Sequence, residues 1–304
     1  MGRPQSIAIT AVFALDKLSN SGCYHTFVEG REMDKKVYFD TVSFRAIGSA
    51  LQTRDLPEDI KQRMLISPLT IFEIWSQLTI TTADTILRQL KAASNWTMPR
   101  TGLLPWPDDS LFMLWHNTAP APDDFTKKME RGFSLCLNSI SPDDLRDAAG
   151  GLKDAMDSAK SQIATSFENL VKACRTKPMS DDEVLDAWFR GVAKRAKGDP
   201  STKSAVAIAS ALDAYFKFEK RKLRVALSNA DYNYQKHRND AFDAEQLIYL
   251  FDPSLVFLTC DTGFNKLLNN SKEKSTQSGQ IRVIAQEDLD SAAKVESLLR
   301  GLTL

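Results

Sequence analysis

The feature that most constrains the fold is an apolar run, "SLVFLTCD" (254–261), which ends in a carboxylate. Continuous apolar segments rich in β-branched and aromatic residues are typical of strands that are covered on both faces of a parallel sheet. A carboxylate at the end of such a strand costs free energy to bury unless another group compensates its charge. We therefore expect Asp261 to have a compensating partner.

Three further segments have the character of short buried strands: "KKVYFDT" (35–41), "RMLISPL" (63–69) and "QIRVIA" (280–285). Amphipathic helical patterns alternate with them. The predicted helices are 67–78, 141–174 with an interruption at Gly150-Gly151, 180–197, 199–227, 237–251 and 286–302. Strands that alternate with helices in this way predict an α/β fold around a parallel sheet.

The predicted elements are unevenly distributed, because strands occur toward both ends and the middle is mostly helical. We therefore predict an α/β domain in two parts, 1–84 and 231–304, interrupted by a large mostly helical insertion at 85–230. The insertion includes a Pro/Trp-rich loop, 95–122. Its tryptophans are expected to pack this loop against the domain rather than to stack on bases; they are Trp96, Trp106 and Trp115.

Composition narrows the class of protein. Lys+Arg and Asp+Glu both total 39, so a nucleic-acid ligand would have to bind a local basic patch rather than a generally basic surface. The four cysteines and three histidines are scattered, which disfavours a zinc site and suits reduced thiols in a cytoplasmic protein. No stretch has the length of a membrane span, and "MGRPQSIAITAVFAL" is interpreted as a buried strand or helix rather than a signal peptide.

Five carboxylates are candidates for one site: Asp40, Glu73, Asp240, Asp243 and Asp261. Two of them end predicted strands, and ligands of parallel α/β sheets bind outside the carboxyl ends of the strands. The pair on the 237–251 helix is three residues apart and so shares one face. Packed acids without histidine or cysteine favour Mg²⁺ or Mn²⁺ as the compensating charge.

Structural roles are alternatives for three of these acids. Glu73 could complete a capping box with Thr70. Asp240 or Asp243 could cap the helix at 237–251.

The order of these motifs resembles the PIN-domain nucleases. That family has an Asp-Thr pair ending the first strand, then Ser-x-x-Thr-x-x-Glu, an Asp opening a later helix and a closing Thr-x-Asp-x-x-Phe. The matching residues are Asp40-Thr41, then Ser67, Thr70 and Glu73, then Asp243 with Asp240 as an accessory acid, and then Thr259, Asp261 and Phe264. The resemblance covers about 36–80 and 237–285, and two features depart from the family: the long gap between them, and Val42-Ser43 where Asn often follows Asp-Thr.

The resemblance implies a PIN-like three-layer α/β/α fold and metal-dependent hydrolysis of RNA or single-stranded nucleic acid. Asp40, Glu73, Asp243 and Asp261 would be catalytic metal ligands, direct or through water, with Asp240 also at the Mg²⁺ or Mn²⁺ site. Thr41, Ser43 and Thr259 would hold water or a ligand carboxylate.

Three local basic clusters could contact substrate: 194–197, 217–224 and 235–238. For 217–224 a solvated helix face is favoured. Lys236 and Arg238 directly precede the acidic helix, so they are the predicted contacts to substrate phosphates.

Other functions remain open. The chain could be a catalytically weak PIN-like binding or regulatory protein that uses its insertion for a protein partner, and an antitoxin-like regulator is another possible partner. A phosphate-ester hydrolase of a different α/β family is disfavoured, because Val42 stands where an aspartyl-phosphate hydrolase would want a second Asp.

Overall fold

The structure is a computed structural model that describes residues 35–52, 54–94, 103–121, 141–149, 152–237, 239–266 and 274–302. The strand or helix expected at the start of the chain lies outside these residues, as do Trp96 and Arg238. Of the four cysteines, the described pair, Cys174 and Cys260, are free thiols.

Four short strands form one sheet: β1 (Lys36–Phe39), β2 (Met64–Ile66), β3 (Leu255–Thr259) and β4 (Ile281–Val283). All neighbours are parallel, in the order β2-β1-β3-β4. In the register of the sheet, Tyr38 lies opposite Leu65 on one side and Phe257 on the other. The predicted α/β class and parallel sheet are confirmed, and each strand lies within its predicted segment.

Twelve α-helices are described. They are α1 (Thr41–Ala50), α2 (Glu58–Lys61), α3 (Pro68–Ser76), α4 (Ala83–Ser94), α5 (Pro107–His116), α6 (Pro142–Ala148), α7 (Leu152–Thr176), α8 (Asp181–Arg195), α9 (Ala205–Ala211), α10 (Asp213–Ser228), α11 (Asp240–Gln246) and α12 (Ala292–Gly301). Short 3₁₀-helices occur at Leu247–Phe251, Thr262–Phe264, Thr276–Gln280 and Gln286–Leu289.

Several sequence-based assignments need correction. The segment 286–302, predicted as one helix, contains the 3₁₀-helix Gln286–Leu289 and then α12. Residues 107–116, predicted as part of a loop, form helix α5, because Pro107 occupies the first turn, where its missing N–H costs nothing. The segment 199–227, predicted as one helix, contains α9 and α10, which are separated at Leu212.

Helices cover both faces of the sheet because alternate strand residues are apolar on both sides. Val37 and Phe39 pack into a core with α1, α3, α4 and α12. Tyr38 and Phe257 stack with ring centroids 5.0 Å apart and face the other way, into a core that includes residues of α10 and the 3₁₀-helix after α11. The carboxyl ends of the strands are left at one edge, between these two layers.

A further core is built mainly from helices of the middle of the chain. It joins α5, α7, α8, α9 and α10, and Trp115 is buried in it. Trp106 packs on the first core, with its ring centroid 6.4 Å from that of Phe72. Trp106 thus packs against the α/β core as expected, whereas Trp115 packs mainly among helices of the middle of the chain.

The middle of the chain adds no strand to the sheet within the described residues, apart from a single bridge between Ile66 and Leu103. Its helices nevertheless contact the α/β elements closely. At Gly48 of α1, a Cβ atom would lie 2.9 Å from the backbone oxygen of Gln89 in α4. The boundaries 1–84, 85–230 and 231–304 stay a prediction. None of the helices in the described segments is both long enough and apolar enough to cross a membrane.

Candidate functional site

The carboxyl ends of β1, β2 and β3 lie at the same edge of the sheet, because the strands are parallel. Asp40 follows β1 directly, Ser67 follows β2 directly, and Asp261 comes two residues after β3. Ser67 caps α3 by accepting a hydrogen bond from the Leu69 N–H at 3.2 Å. This edge is where the candidate acids are found.

Asp40 is buried, and its two carboxylate oxygens are held by neighbouring groups. The Ser43 N–H donates to Oδ1 at 2.7 Å, so Asp40 is the N-cap of α1, and Thr259 Oγ1 donates to Oδ2 at 2.6 Å. Burial raises the pKa of Asp40, and hydrogen bonds from Ser43 and Thr259 offset part of this rise. The Thr259 hydroxyl also accepts from the Asp261 N–H at 2.9 Å, so it connects the ends of β1 and β3.

Ser43 contacts Asp40 through its backbone. Its hydroxyl lies 3.4 Å from the Cys260 sulfur, and the Ser43 side chain, like the Ser43 N–H, lowers the pKa of Asp40 by hydrogen bonding.

Glu73 is held from two sides. Thr41 Oγ1 donates to Glu73 Oε2 at 2.5 Å, and the Lys160 ammonium of α7 lies 3.4 Å from Oε1. Thr70 instead donates its hydroxyl to the Phe39 carbonyl at 2.8 Å. A capping box between Thr70 and Glu73 is therefore wrong, and the Glu73 side chain points to the edge where β1 ends.

The pKa of Asp243 is affected by the charges of all four other candidate acids. Burial, and after it the charges of four acids, raise its pKa well above the usual range; these acids are Glu73, Asp261, Asp240 and Asp40. Among the described residues, no group donates a hydrogen bond to its carboxylate. The five acids predicted from the sequence therefore lie near one another. Within the described segments, Asp243 is the one of the five whose negative charge is least offset by hydrogen bonds or positive charges.

Asp240 lies on the same helix but has different neighbours. Burial raises its pKa, while His237 and Lys222 lower it and Glu219 raises it. The His237 Nδ1 is 3.4 Å from Asp240 Oδ2. Neither this acid nor Asp243 caps α11, since Asn239 occupies the N-cap position without a side-chain hydrogen bond.

Asp261 is exposed at the tip of the edge, so the burial cost expected for it from the sequence is wrong; the buried strand-end carboxylate is Asp40. Its Oδ1 accepts a hydrogen bond from the Gly263 N–H at 2.7 Å, which begins the 3₁₀-helix Thr262–Phe264. A Cβ at Gly263 would lie 3.0 Å from this oxygen, so glycine keeps space beside the carboxylate.

Sequence reasoning missed two basic residues at this edge. Lys160, within the long amphipathic α7, carried no local signal, because its partner Glu73 is distant in the chain. Arg221, from the cluster interpreted as a solvated face, donates from Nη1 to the Gly263 carbonyl at 3.1 Å, two residues after Asp261. The predicted Lys236 is exposed.

The cluster 194–197 contributes a buried ion pair instead. Arg195 donates to both carboxylate oxygens of Glu245, at 2.8 and 2.5 Å, and to Asp108 at 2.7 Å. This ties α8 and α5 to α11, the helix that carries Asp243.

The donor set suits a hard divalent cation. All five candidates offer carboxylate oxygens, the ligands that Mg²⁺ and Mn²⁺ prefer. The acids are close enough to raise the pKa of Asp243. In the described segments, however, no three Asp, Glu, His or Cys side chains approach as closely as ligands of one ion do. Carboxylates are suitable ligands for such a cation and lie at the expected edge of the sheet, while oxygens of Asp40, Glu73 and Asp261 accept hydrogen bonds from the protein.

Comparison of the chain with protein-family models, curated proteins and solved structures finds no match.

Proposed function

We propose that the protein is a metal-dependent nuclease of the PIN-like kind, an endoribonuclease that hydrolyses phosphodiester bonds in RNA by attack of water. The observation that carries the proposal is the meeting of the candidate acids at the strand ends, where Thr259 contacts both Asp40 and the Asp261 N–H and Thr41 contacts Glu73. Burial and the four other carboxylates raise the pKa of Asp243 at the same edge. A chain gains nothing in stability by gathering five acids at the end of a sheet, since their mutual repulsion opposes folding. A bound Mg²⁺ or Mn²⁺ would offset that repulsion.

The residues that would hold the metal are Asp40, Glu73, Asp243 and Asp261, with Asp240 farther from the centre. When bound, the metal would lower the pKa of water and orient it toward a phosphodiester. Thr259 and Thr41 hold the carboxylates of Asp40 and Glu73, which limits the rotation of both.

Basic groups near the edge would bind the substrate. Arg221 donates to the Gly263 carbonyl, two residues after Asp261, and its remaining guanidinium donors would bind a phosphate. Lys236 and Arg238 precede the acidic helix and stay proposed contacts. We place the enzyme in the cytoplasm and propose that 85–230 is a helical insertion that shapes access to the edge.

The test is cleavage of structured RNA, unstructured RNA and single-stranded DNA by purified protein with Mn²⁺, Mg²⁺ or EDTA. We expect cleavage of RNA with metal and none with EDTA. Asp261→Asn removes the charge of a proposed metal ligand at an exposed position and should abolish the metal-dependent cleavage. Asp84→Asn is the matched control, because Asp84 is exposed on α4 and, within the described segments, forms an ion pair with Arg88 alone. Metal-independent cleavage, or full activity of Asp261→Asn, would refute the proposal.

A second candidate is a PIN-like binding or regulatory protein with little turnover. It is favoured by the engagement of Asp40, Glu73 and Asp261 in internal hydrogen bonds. In that case the protein would bind Mn²⁺ and RNA without cleaving it, and a protein partner or antitoxin-like regulator would be sought.

A further inference from the structure

Lys160 is a buried cation at the acidic edge. Its side chain is 8% exposed, and its ammonium lies 3.4 Å from Glu73 Oε1. An ammonium in such a place loses most of its hydration, so it needs nearby negative charge to remain there. Glu73 supplies that charge directly.

A second contact places Lys160 between two elements of the site. Its Nζ lies 5.3 Å from the centre of the Phe242 ring, a distance at which the ring face attracts a cation. Phe242 directly precedes Asp243 in α11. Lys160 therefore joins α7 to α3 through Glu73 and to α11 through Phe242.

Another lysine of the same helix shows that this arrangement is specific. Lys172 pairs with Glu168 one turn earlier on α7, at 2.7 Å, and its side chain is 65% exposed. That is the ordinary surface pair of a solvated helix, which contributes little stability. Lys160 instead points inward, to a carboxylate from another element.

We propose that Lys160 is the internal counter-ion of the acidic edge and competes with a divalent cation for Glu73. This inference rests on the proposed function, because it concerns the same carboxylates. In the metal-free protein the ammonium offsets part of the repulsion that surrounds Asp243. A metal that binds Glu73 has to weaken the Lys160 ion pair, so Lys160 positions Glu73 and sets the metal affinity of the site.

The charge argument predicts an unusual direction for a substitution. Lys160→Met keeps a side chain of similar length but removes the positive charge. Metal-free protein should become less stable, because Glu73 loses its partner. Affinity for Mn²⁺ should become tighter by about 10-fold, since a nearby like charge no longer opposes the cation. A residue with a purely structural role would weaken metal binding when it is removed.

The experiment is calorimetric titration of full-length protein with Mn²⁺, together with the increase in melting temperature that saturating Mn²⁺ produces. Lys160→Arg keeps the positive charge, so its affinity for Mn²⁺ should stay within about 2-fold of that of wild type. This substitution changes the shape of the side chain and not its charge. Lys172→Met is the control, and its Mn²⁺ affinity and melting-temperature increase should equal those of wild type. Lys160→Gln serves as a second neutral variant if Lys160→Met does not fold.

The outcomes separate this inference from the proposed function. Tighter Mn²⁺ binding and a larger melting-temperature increase in the neutral Lys160 variants, but not in Lys172→Met, support the competition. If wild type binds Mn²⁺ and cleaves RNA while the neutral variants bind Mn²⁺ equally or more weakly, the competition is refuted and the nuclease stands. If wild type binds no Mn²⁺, both are overturned.

Discussion

Asp243 and Asp240 occupy adjacent turns of one short helix but lie in different electrostatic surroundings. The acids Glu73, Asp261 and Asp40 all raise the pKa of Asp243, whereas the nearest charges at Asp240 include His237 and Lys222, which lower its pKa. Spacing in the sequence places both on one face, but it cannot say which of the two points to the strand ends. The surroundings support Asp243 as the inner acid and Asp240 as the outer one.

Asp243→Ala should therefore be the more damaging change to cleavage. Removal of an outer partner of a metal ligand lowers metal affinity or activity by roughly 10- to 100-fold, and loss of a direct ligand usually lowers them further. Asp240→Ala should be partly rescued by high Mn²⁺. Cleavage rates of both variants across a Mn²⁺ titration test this. Activity in Asp243→Ala together with inactive Asp240→Ala at every concentration would reverse the assignment.

The raised pKa of Asp243 also predicts how metal-free stability depends on pH. Because its folded-state pKa lies above the unfolded value, protonation stabilises the fold. This contribution is complete below the unfolded pKa and is lost as the pH rises through the folded pKa. In EDTA, the free energy of unfolding should therefore fall over that window as the pH rises.

Asp243→Asn should flatten this pH dependence and raise the metal-free stability at neutral pH by roughly 1–3 kcal/mol, because it removes a partly buried charge that neighbouring acids repel. Urea unfolding in EDTA at several pH values measures both effects, with Asp84→Asn as the exposed control. A lower stability of Asp243→Asn at neutral pH would show that its charge is compensated.

At the scale of elements, the strands were predictable and several contacts between helices were not. The strands are continuous apolar segments, and α8 begins with a capping box of Ser180 and Glu183, a local pattern that its sequence carries. Helix α1 was not predicted, because its start at Asp40-Thr41 was interpreted as the end of a strand. The Lys160–Glu73 contact joins residues far apart in the chain, which no local pattern encodes.

The Arg195–Glu245 pair is a second long-range contact and should matter for stability. Arg195→Met leaves Glu245 buried without its partner, so we expect a loss of about 3–5 kcal/mol in the free energy of unfolding. Arg190→Met is the control on the same helix, since Arg190 is 64% exposed and pairs with Asp186.

Chemical denaturation of both variants measures the effect. Glu245→Gln in the Arg195→Met background should recover part of the loss, because it removes the uncompensated charge. Equal stabilities of Arg195→Met and Arg190→Met would mean that the pair adds nothing to the link between α8 and α11.

At the scale of the whole molecule, acidic and basic residues are equal in number, so the protein as a whole does not attract the negative charge of a nucleic acid. The formal net charge is +0, and the candidate site itself is acidic. Binding of the proposed RNA substrate would then depend on a few basic groups beside the acids. Among the described residues no carboxylate forms an ion pair with Arg221, although its neighbours Lys220 and Arg224 both pair with Asp181.

Arg221→Met should therefore weaken binding of single-stranded RNA and lower its salt dependence. One lost phosphate contact reduces the slope of log K against log salt by about 0.7 for a single strand. Fluorescence anisotropy in EDTA, at several salt concentrations, measures binding without cleavage. Lys220→Met is the matched control, because Lys220 lies on the same helix and its charge is already paired at 2.5 Å with Asp181. A slope that falls equally in both variants would indicate general electrostatic attraction to α10, and an unchanged slope in Arg221→Met would remove this residue from the substrate path.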